Sequence, residues 1–344
     1  MLENVQLFIA LFGGYVATSM IFLKNPHLLH KKKRLKFSCT HISHRGGAGE
    51  NYENTMTAFR RAVSLGTDML ELDCQLTKDN QVVVCHDNNL FRSTGINKCV
   101  SEFNYKDLPL LKPNLPVDFD PLVTFRGSGK EEERRIPLLV EVFQNFPELP
   151  INIDIKTNNK FLIGEVDRLI SEHHREEITV WGSFSEEITY KCYLQNPKVN
   201  LLFSLRRVFE LVLLFYTGLL PFVPLRETHL EIFQPSMVLH PSWHNHNIKN
   251  GPLLLYLPTF LVKTIDFLLM SKTLFKHLGQ RGIQTYVWVL NYDNQFKDVF
   301  ELGVTGIMTD YPTRLMTFLK ENPQYLKKTH NVSAIAEAEE SVND

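Results

Sequence analysis

Net charge of either sign, paired cysteines and zinc-type spacings are all missing from this chain. Its 344 residues carry 37 Lys plus Arg against 38 Asp plus Glu, a formal net charge of −1. No overall basic field therefore argues for nucleic acid. The five cysteines, Cys39, Cys74, Cys85, Cys99 and Cys192, are odd in number and contain no CxxC. They offer neither a disulfide framework nor a zinc module and favour a reduced, cytosol-facing domain. Charge is also absent from residues 5–23, VQLFIALFGGYVATSMIFL. At about 1.5 Å per residue this run nearly crosses a hydrocarbon core of about 30 Å. No basic residue precedes it, Glu3 does, and no small-x-small cleavage site follows, so it reads as an uncleaved anchor. HKKKRLK at 30–36 places the following domain on the cytosolic side by the positive-inside rule.

What is present from residue 40 onward is alternation. Apolar, β-rich runs at 41–44, 69–74, 81–86, 151–155, 178–184, 200–204, 284–290 and 304–309 are separated by helical patterns. Those patterns lie at 55–66, 137–146, 160–174, 185–195, 271–282 and 293–302. Asn54 is placed to cap the first helix, and Gly66, Gly282 and Gly303 fall where helices end. About eight strands in this length predict an α/β fold of the closed (β/α)8 type, with an open doubly wound sheet as the alternative. The expected organisation is an anchor with its basic segment (1–36), a barrel (37–320) and a disordered tail (321–344). Residues 88–135 interrupt the alternation after the third strand and read as an insertion. Two nearly uncharged stretches, 208–225 and 253–270, are either buried helices or an apolar surface that meets a membrane or an acyl chain. A second full span through 208–225 is disfavoured, because it would put half the barrel on the wrong side.

Barrel enzymes carry their chemistry at the C-terminal ends of the strands. The first strand ends in His44-Arg45, the second holds Glu71 and Asp73, the third ends in His86-Asp87, and the fourth holds Asp154 and Lys156. Residues at i and i+2 leave a strand on the same face, so Glu71 and Asp73 place two like charges together. Such a pair is costly when buried unless a cation joins it, and hard oxygen donors suit Mg²⁺ or Ca²⁺. Pairing with rim lysines or arginines is the plainer explanation. His44 and His86 can act as acid and base near neutral pH, and His86 could instead ligate a metal. Arg45 presents a planar fork to a phosphate, and Gly46, Gly47 and Gly49 let backbone approach an anion.

These residues sit in stretches that resemble the glycerophosphodiester phosphodiesterase family. The matching motifs are HRGGAGENYENT at 44–55, AFRRAVSLGTDMLELDCQLTKDNQVVVCHD at 58–87, IPLLVEVF at 136–143, INIDIK at 151–156, VWVLN at 287–291 and GVTGIMTDYP at 303–312. The anchor and TGLLPFVP at 217–224 are similar to the membrane-bound animal subgroup acting as lysophospholipases D. The resemblance implies a barrel, catalytic His44 and His86, metal carboxylates Glu71, Asp73 and Asp154, and phosphate contacts from Arg45 and Lys156. It places Trp288 in the substrate pocket. The third carboxylate of the family is commonly glutamate, and Asp154 is one methylene shorter. The implied route is attack by a neighbouring glycerol hydroxyl, a cyclic phosphate, and opening by water. The implied substrate is a lysophospholipid, and the implied site is the endoplasmic reticulum membrane. Hydrolysis of water-soluble glycerophosphodiesters is the alternative, and a membrane-anchored non-catalytic binding protein a further one.

Overall fold

The computed structural model describes residues 2–240 and 256–326. Eight parallel strands make the barrel: β1 (His41–Ser43), β2 (Met69–Leu76), β6 (Ile151–Ile155), β7 (Thr179–Gly182), β8 (Asn200–Leu201), β9 (His229–Phe233), β10 (Gln284–Trp288) and β11 (Gly306–Thr309). Their order is β8-β7-β6-β2-β1-β11-β10-β9, and the ring is joined at its ends by one bridge, Leu202 to His229. The expected closed barrel is therefore present.

Two strand expectations need correction. The run at 81–86 yields β3 (Val82–Val84), which pairs antiparallel with β2 and is not a barrel strand. Only the turn at 77–81 joins the two strands, held by Thr77 Oγ1 to Asp79 and to the Gln81 backbone. A parallel return needs a crossover of about a dozen residues. The missing barrel strand is β9, HLEIF, absent from the sequence-based list. The first helix is also capped differently: Thr55, not Asn54, accepts the Ala58 N–H at the start of α2 (Met56–Leu65). Asn54 turns into the barrel with a positive φ and donates to Asp73.

The 88–135 insertion is well structured. It contains the short α3 (Phe91–Thr94) and a hairpin, β4 (Asn114–Val117) and β5 (Asp120–Arg126). Leu90, Val100, Leu111 and Leu115 pack with Tyr52, Val83 and Ile136 into a core of their own. The remaining barrel helices are α4 (Leu139–Asn145), α5 (Lys160–Glu172), α6 (Glu186–Gln195), α7 (Leu205–Tyr216), α8 (Thr259–Leu269), α9 (Lys272–Gln280), α10 (Asp293–Glu301) and α11 (Pro312–Glu321). The expected tail begins with a short turn at Pro323–Tyr325, where Tyr325 stacks on Phe300. Residues 327–344 lie outside the described residues.

The N-terminal run forms α1 (Leu2–Lys24), the one helix among the described residues long and apolar enough to cross a membrane. It docks on the loop after α7: Tyr15 Oη donates to Thr217 O at 2.5 Å, Ser19 Oγ to Gly218 O at 2.6 Å, and Phe22 meets Phe222 edge-on. The stretch 208–225 splits between α7, which has 12 residues, and a 3₁₀ turn at Leu220–Phe222. At about 1.5 Å per residue α7 spans about 18 Å, too short for a crossing. It buries Leu211 and exposes Leu205, Phe209 (71%), Leu213 and Tyr216, so it is neither a fully buried helix nor a wholly exposed one. In 253–270, residues 253–255 lie outside the described residues; α8 buries Val262 and exposes Phe260 and Phe267 (75%).

Burial also sets the acid limit of the fold. His229 stacks on Phe37 and tilts against Tyr286, and burial pushes its pKa down to about 3. An unfolded histidine titrates near 6.5, so below that pH the unfolded chain binds a proton that the folded chain refuses. Stability is therefore expected to fall by about 1.4 kcal/mol per pH unit between about 6.5 and 3 from this group. Urea melts at pH 7 and pH 5 check it: His229→Phe should show the shallower loss, and an unchanged slope would refute the assignment.

Candidate active site

The first strand does not simply end; it coils. His44, Arg45 and Gly46 form a 3₁₀ turn with Arg45 at φ 49 and Gly46 at φ 79. Gly47 follows at φ 101, where a Cβ would stand 2.7 Å from the Pro312 ring. The expected anion cradle is not what these glycines build. The Gly47 and Gly49 N–H groups bond to His44 O and Asp310 O, so the glycines fold the strand end back on itself. The coil aims the Arg45 N–H at Glu71 Oε2, 2.9 Å away.

The pocket this creates is a half-open cleft at the strand ends. All eight residues singled out from the sequence, His44, Arg45, Glu71, Asp73, His86, Asp154, Lys156 and Trp288, line it. His44 is buried, with Nδ1 2.6 Å from Asp310 Oδ1 and Nε2 3.9 Å from Glu71 Oε2. Burial would lower its pKa, but the carboxylates of Asp310 and Glu71 outweigh burial and raise it. His86 is partly exposed, and its Nδ1 meets Asp87 Oδ1 at 2.8 Å. Each histidine thus has one nitrogen fixed by a carboxylate, as an oriented acid or base requires.

The carboxylates share few cations. Asp73 meets Lys156 Nζ at 2.9 Å and Arg45 Nε at 3.4 Å, and accepts from Asn54 Nδ2 at 2.7 Å. Burial works against its ionisation, yet Lys156, His86 and Arg45 hold it well below the usual carboxylate range. Glu71 is pushed up to about 7, first by burial and then by Asp73. Asp154 Oδ2 accepts from Lys156 at 2.5 Å, while its buried Oδ1 has no partner. The ion pairs that the plainer explanation anticipated are therefore real. They do not balance the pocket: Glu71, Asp73, Asp154 and Glu231 face the permanent cations Arg45 and Lys156. Ionising all four together would leave two negative charges, the charge of one divalent ion; without such an ion, burial and the neighbouring carboxylates push Glu71 up to about 7 and Glu231 up to about 8.

Among the described residues no three His, Cys, Asp or Glu side chains form a ready-made coordination cluster. Lys156 stands between Asp73 and Asp154 instead. The donor chemistry nevertheless fits a hard cation, because the excess groups are all oxygens and the orphaned atom Asp154 Oδ1 is an acceptor. Arg45 lies in the pocket wall with Nη1 held by Glu53 at 3.1 Å and Asp118 at 2.8 Å. Arg92 joins the same network through Glu53, Asp87 and Asp118.

Several site residues escaped the sequence reading. Asp310, in MTDYP, orients His44, and Asn291 caps its backbone N–H at 3.0 Å. Its signal was an acid directly after the apolar strand GIMT, in the position that His44 and His86 hold after theirs. Glu231 was lost with β9, where it is the lone acid in HLEIF. Phe119, at the tip of the β4–β5 hairpin, packs edge-on to His44 and to Trp288. Phe184 and Phe233 complete an aromatic cluster around Trp288.

Comparison with known proteins agrees with this geometry. Residues 44–314 match the glycerophosphoryl diester phosphodiesterase family. Lysophospholipase D GDPD1 of Rattus norvegicus is 53% identical over 89% of this chain and 94% of its own length. Lysophospholipase D GDPD3 of Homo sapiens is 39% identical over 89% of this chain and 93% of its own. Among solved structures, a putative glycerophosphoryl diester phosphodiesterase from Silicibacter pomeroyi superposes with a TM-score of 0.59 at 18% identity, covering 83% of this chain and 95% of that one. An Oleispira antarctica phosphodiesterase in complex with the product sn-glycerol-3-phosphate gives 0.55 at 17% identity, covering 82% and 97%. Those two show the barrel alone. Enzymes of the family are generally dependent on a divalent metal. With the matched barrel, the paired histidines and the acidic pocket, the chain belongs to the glycerophosphoryl diester phosphodiesterase family and is a phosphoric diester hydrolase.

Proposed function

We propose that this protein is a metal-dependent lysophospholipase D that converts lysophospholipids to lysophosphatidic acid and the free amino alcohol. Lysophosphatidylcholine, lysophosphatidylethanolamine and N-acyl lysophosphatidylethanolamine are the candidate substrates. One observation carries the choice over water-soluble diesters. Leu202 and Phe203 line the pocket, and the chain then enters α7 with its exposed stripe of Leu205, Phe209, Leu213 and Tyr216. That stripe ends where α1 docks, so apolar surface runs from the catalytic pocket to the membrane helix. We assign 1–36 to the anchor, 37–320 to the barrel and 321–344 to the tail. The membrane is that of the endoplasmic reticulum, with the barrel held in the cytosol by the basic segment at 30–36.

The metal, Mg²⁺ or Ca²⁺, would be held by Glu71, Asp73 and Asp154, which leaves His86 Nε2 free for proton transfer. When bound it supplies Lewis acidity that neutralises the phosphodiester oxygens. Arg45 and Lys156 add fixed positive charge on the phosphate side of the pocket. His44 takes the proton of the attacking hydroxyl at Nε2, and Asp310 stabilises the imidazolium through Nδ1. His86, steadied by Asp87 at the solvent edge, gives a proton to the departing amino alcohol; the attacking group is the neighbouring glycerol hydroxyl, so a cyclic phosphate is left, and water then opens it to lysophosphatidic acid. Trp288 and its phenylalanine neighbours shield the glycerol end of the substrate from water.

The test is choline release by detergent-purified protein from lysophosphatidylcholine and, in parallel, from glycerophosphocholine. Phe209→Asp combined with Phe267→Asp is expected to lower kcat/KM for the lysolipid by about tenfold or more, since two exposed apolar contacts with lipid are lost. Glycerophosphocholine turnover should be unchanged. Equal losses on both substrates would sink the lipid-access reading, and wild-type release from glycerophosphocholine alone would favour the water-soluble alternative.

A further inference from the structure

One carboxylate in the pocket has no role in the mechanism above. Glu231 rises from β9 on the same face as His229 and Phe233, two residues to either side. Asn152 Nδ2 donates to its Oε1 at 2.7 Å, and among the described residues no lysine or arginine pairs with it. Its surroundings are short of positive charge and of donors. Asn152 is 1% exposed, yet its Oδ1 has no partner, and the buried Oδ1 of Asp154 has none either. The register of β2 with β6 sets Asn152 beside Glu71 and Asp154 beside Asp73. Burial comes first in pushing the Glu231 pKa up to about 8, and the charge of Glu71 and Asp154 is felt there as well.

A water molecule could donate to the two orphaned oxygens, but beside Glu71 and Asp154 the buried Glu231 could then ionise only above neutral pH. A divalent cation answers both needs, since it accepts amide and carboxylate oxygens alike and cancels the surplus charge. Asp154 has one oxygen tied to Lys156 and only Oδ1 to offer, so the set gains from an acid on another wall. We infer that Glu231, supplied by β9 and steadied by Asn152, is a further oxygen ligand of the active-site cation. The inference rests on the metal-dependent reading above and extends it to the side of the barrel across from β2.

The experiment is Mn²⁺ binding to full-length, detergent-solubilised protein stripped by chelation, followed by the electron paramagnetic resonance signal of free Mn²⁺. Glu231→Gln keeps the Asn152 hydrogen bond and removes only the charge. It is expected to weaken Mn²⁺ binding by about tenfold or more, while Glu71→Gln abolishes binding. An affinity within about twofold of wild type for Glu231→Gln, with Glu71→Gln still defective, would overturn the assignment of Glu231 and leave the metal reading intact. Failure of the wild-type protein to bind Mn²⁺ would overturn both. Should Glu231→Gln fail to fold, Glu231→Asp serves in its place: its shorter reach should also weaken Mn²⁺ binding, and unchanged affinity there would equally overturn the assignment.

Discussion

His44→Ala is expected to lower kcat toward lysophosphatidylcholine by about 10²–10⁴-fold, the range that a positioned acid or base contributes. The ring is buried, its Nδ1 is held by Asp310, and its Nε2 lies in the pocket near Glu71. Removing it leaves the hydroxyl proton with no acceptor, while KM should change little because the apolar lining is untouched. Asp310→Asn supplies the sharper check. Asp310 raises the proton affinity of His44, so the variant should move the histidine limb of the kcat/KM profile to lower pH as well as reduce its height. A reduced height with an unmoved limb would mean that Asp310 only holds the β11 end in place. Retention of wild-type kcat by His44→Ala would remove His44 from the chemistry altogether.

Removal of divalent ions is expected to bring turnover to background, and Glu71→Gln should do the same at saturating ion. Lewis-acid stabilisation is worth several kcal/mol, which is about 10²-fold or more in rate. The same residue predicts an opposite effect on stability. Glu71 titrates near 7 in the ion-free fold and near 4.5 in the unfolded chain. The unfolded state therefore loses its proton first as pH rises from about 4.5 to 7, and the folded state is penalised over that window. Above it the penalty is about 3 kcal/mol, taken from the size of the shift. Ion-free Glu71→Gln should thus melt a few degrees above ion-free wild type at pH 8, with no difference at pH 4. Adding Mg²⁺ or Ca²⁺ should stabilise the wild type and not the variant. An inactive variant that melts below wild type at pH 8 would make Glu71 a structural acid and argue against cation binding at its carboxylate.

Much of the site was readable from short stretches. Strands alternate sides every residue, so Glu71 with Asp73, and Asp154 with Lys156, had to share a face wherever the fold placed them. His44 and His86 were visible because each follows a short apolar run. The strand count came out at eight although its membership was wrong. VVV at 82–84 has the composition of a barrel strand, and only the brevity of the turn after β2 forces it antiparallel. HLEIF is half polar at its start, and barrel closure between β8 and β10 makes it a strand. With that strand went Glu231. The insertion gave no periodic signal because its contribution is made by a hairpin tip. Asp118 and Phe119 reach Arg45 and His44 from more than 70 residues away.

By itself the sequence determined what depends on neighbours along the chain. That covers an apolar helix long enough for a bilayer, strands with acids on one face, and a glycine-rich turn behind His44. Tertiary structure decided which of those groups work together. The His44–Asp310 bond spans 266 positions and the Asn152–Glu231 bond 79, and both exist only because parallel strands bring distant ends to one rim. Local periodicity can place a side chain on a face. Only ring closure determines which faces look at each other, and the crowding of buried carboxyls that pushes Glu71 and Glu231 up is a property of the closed ring.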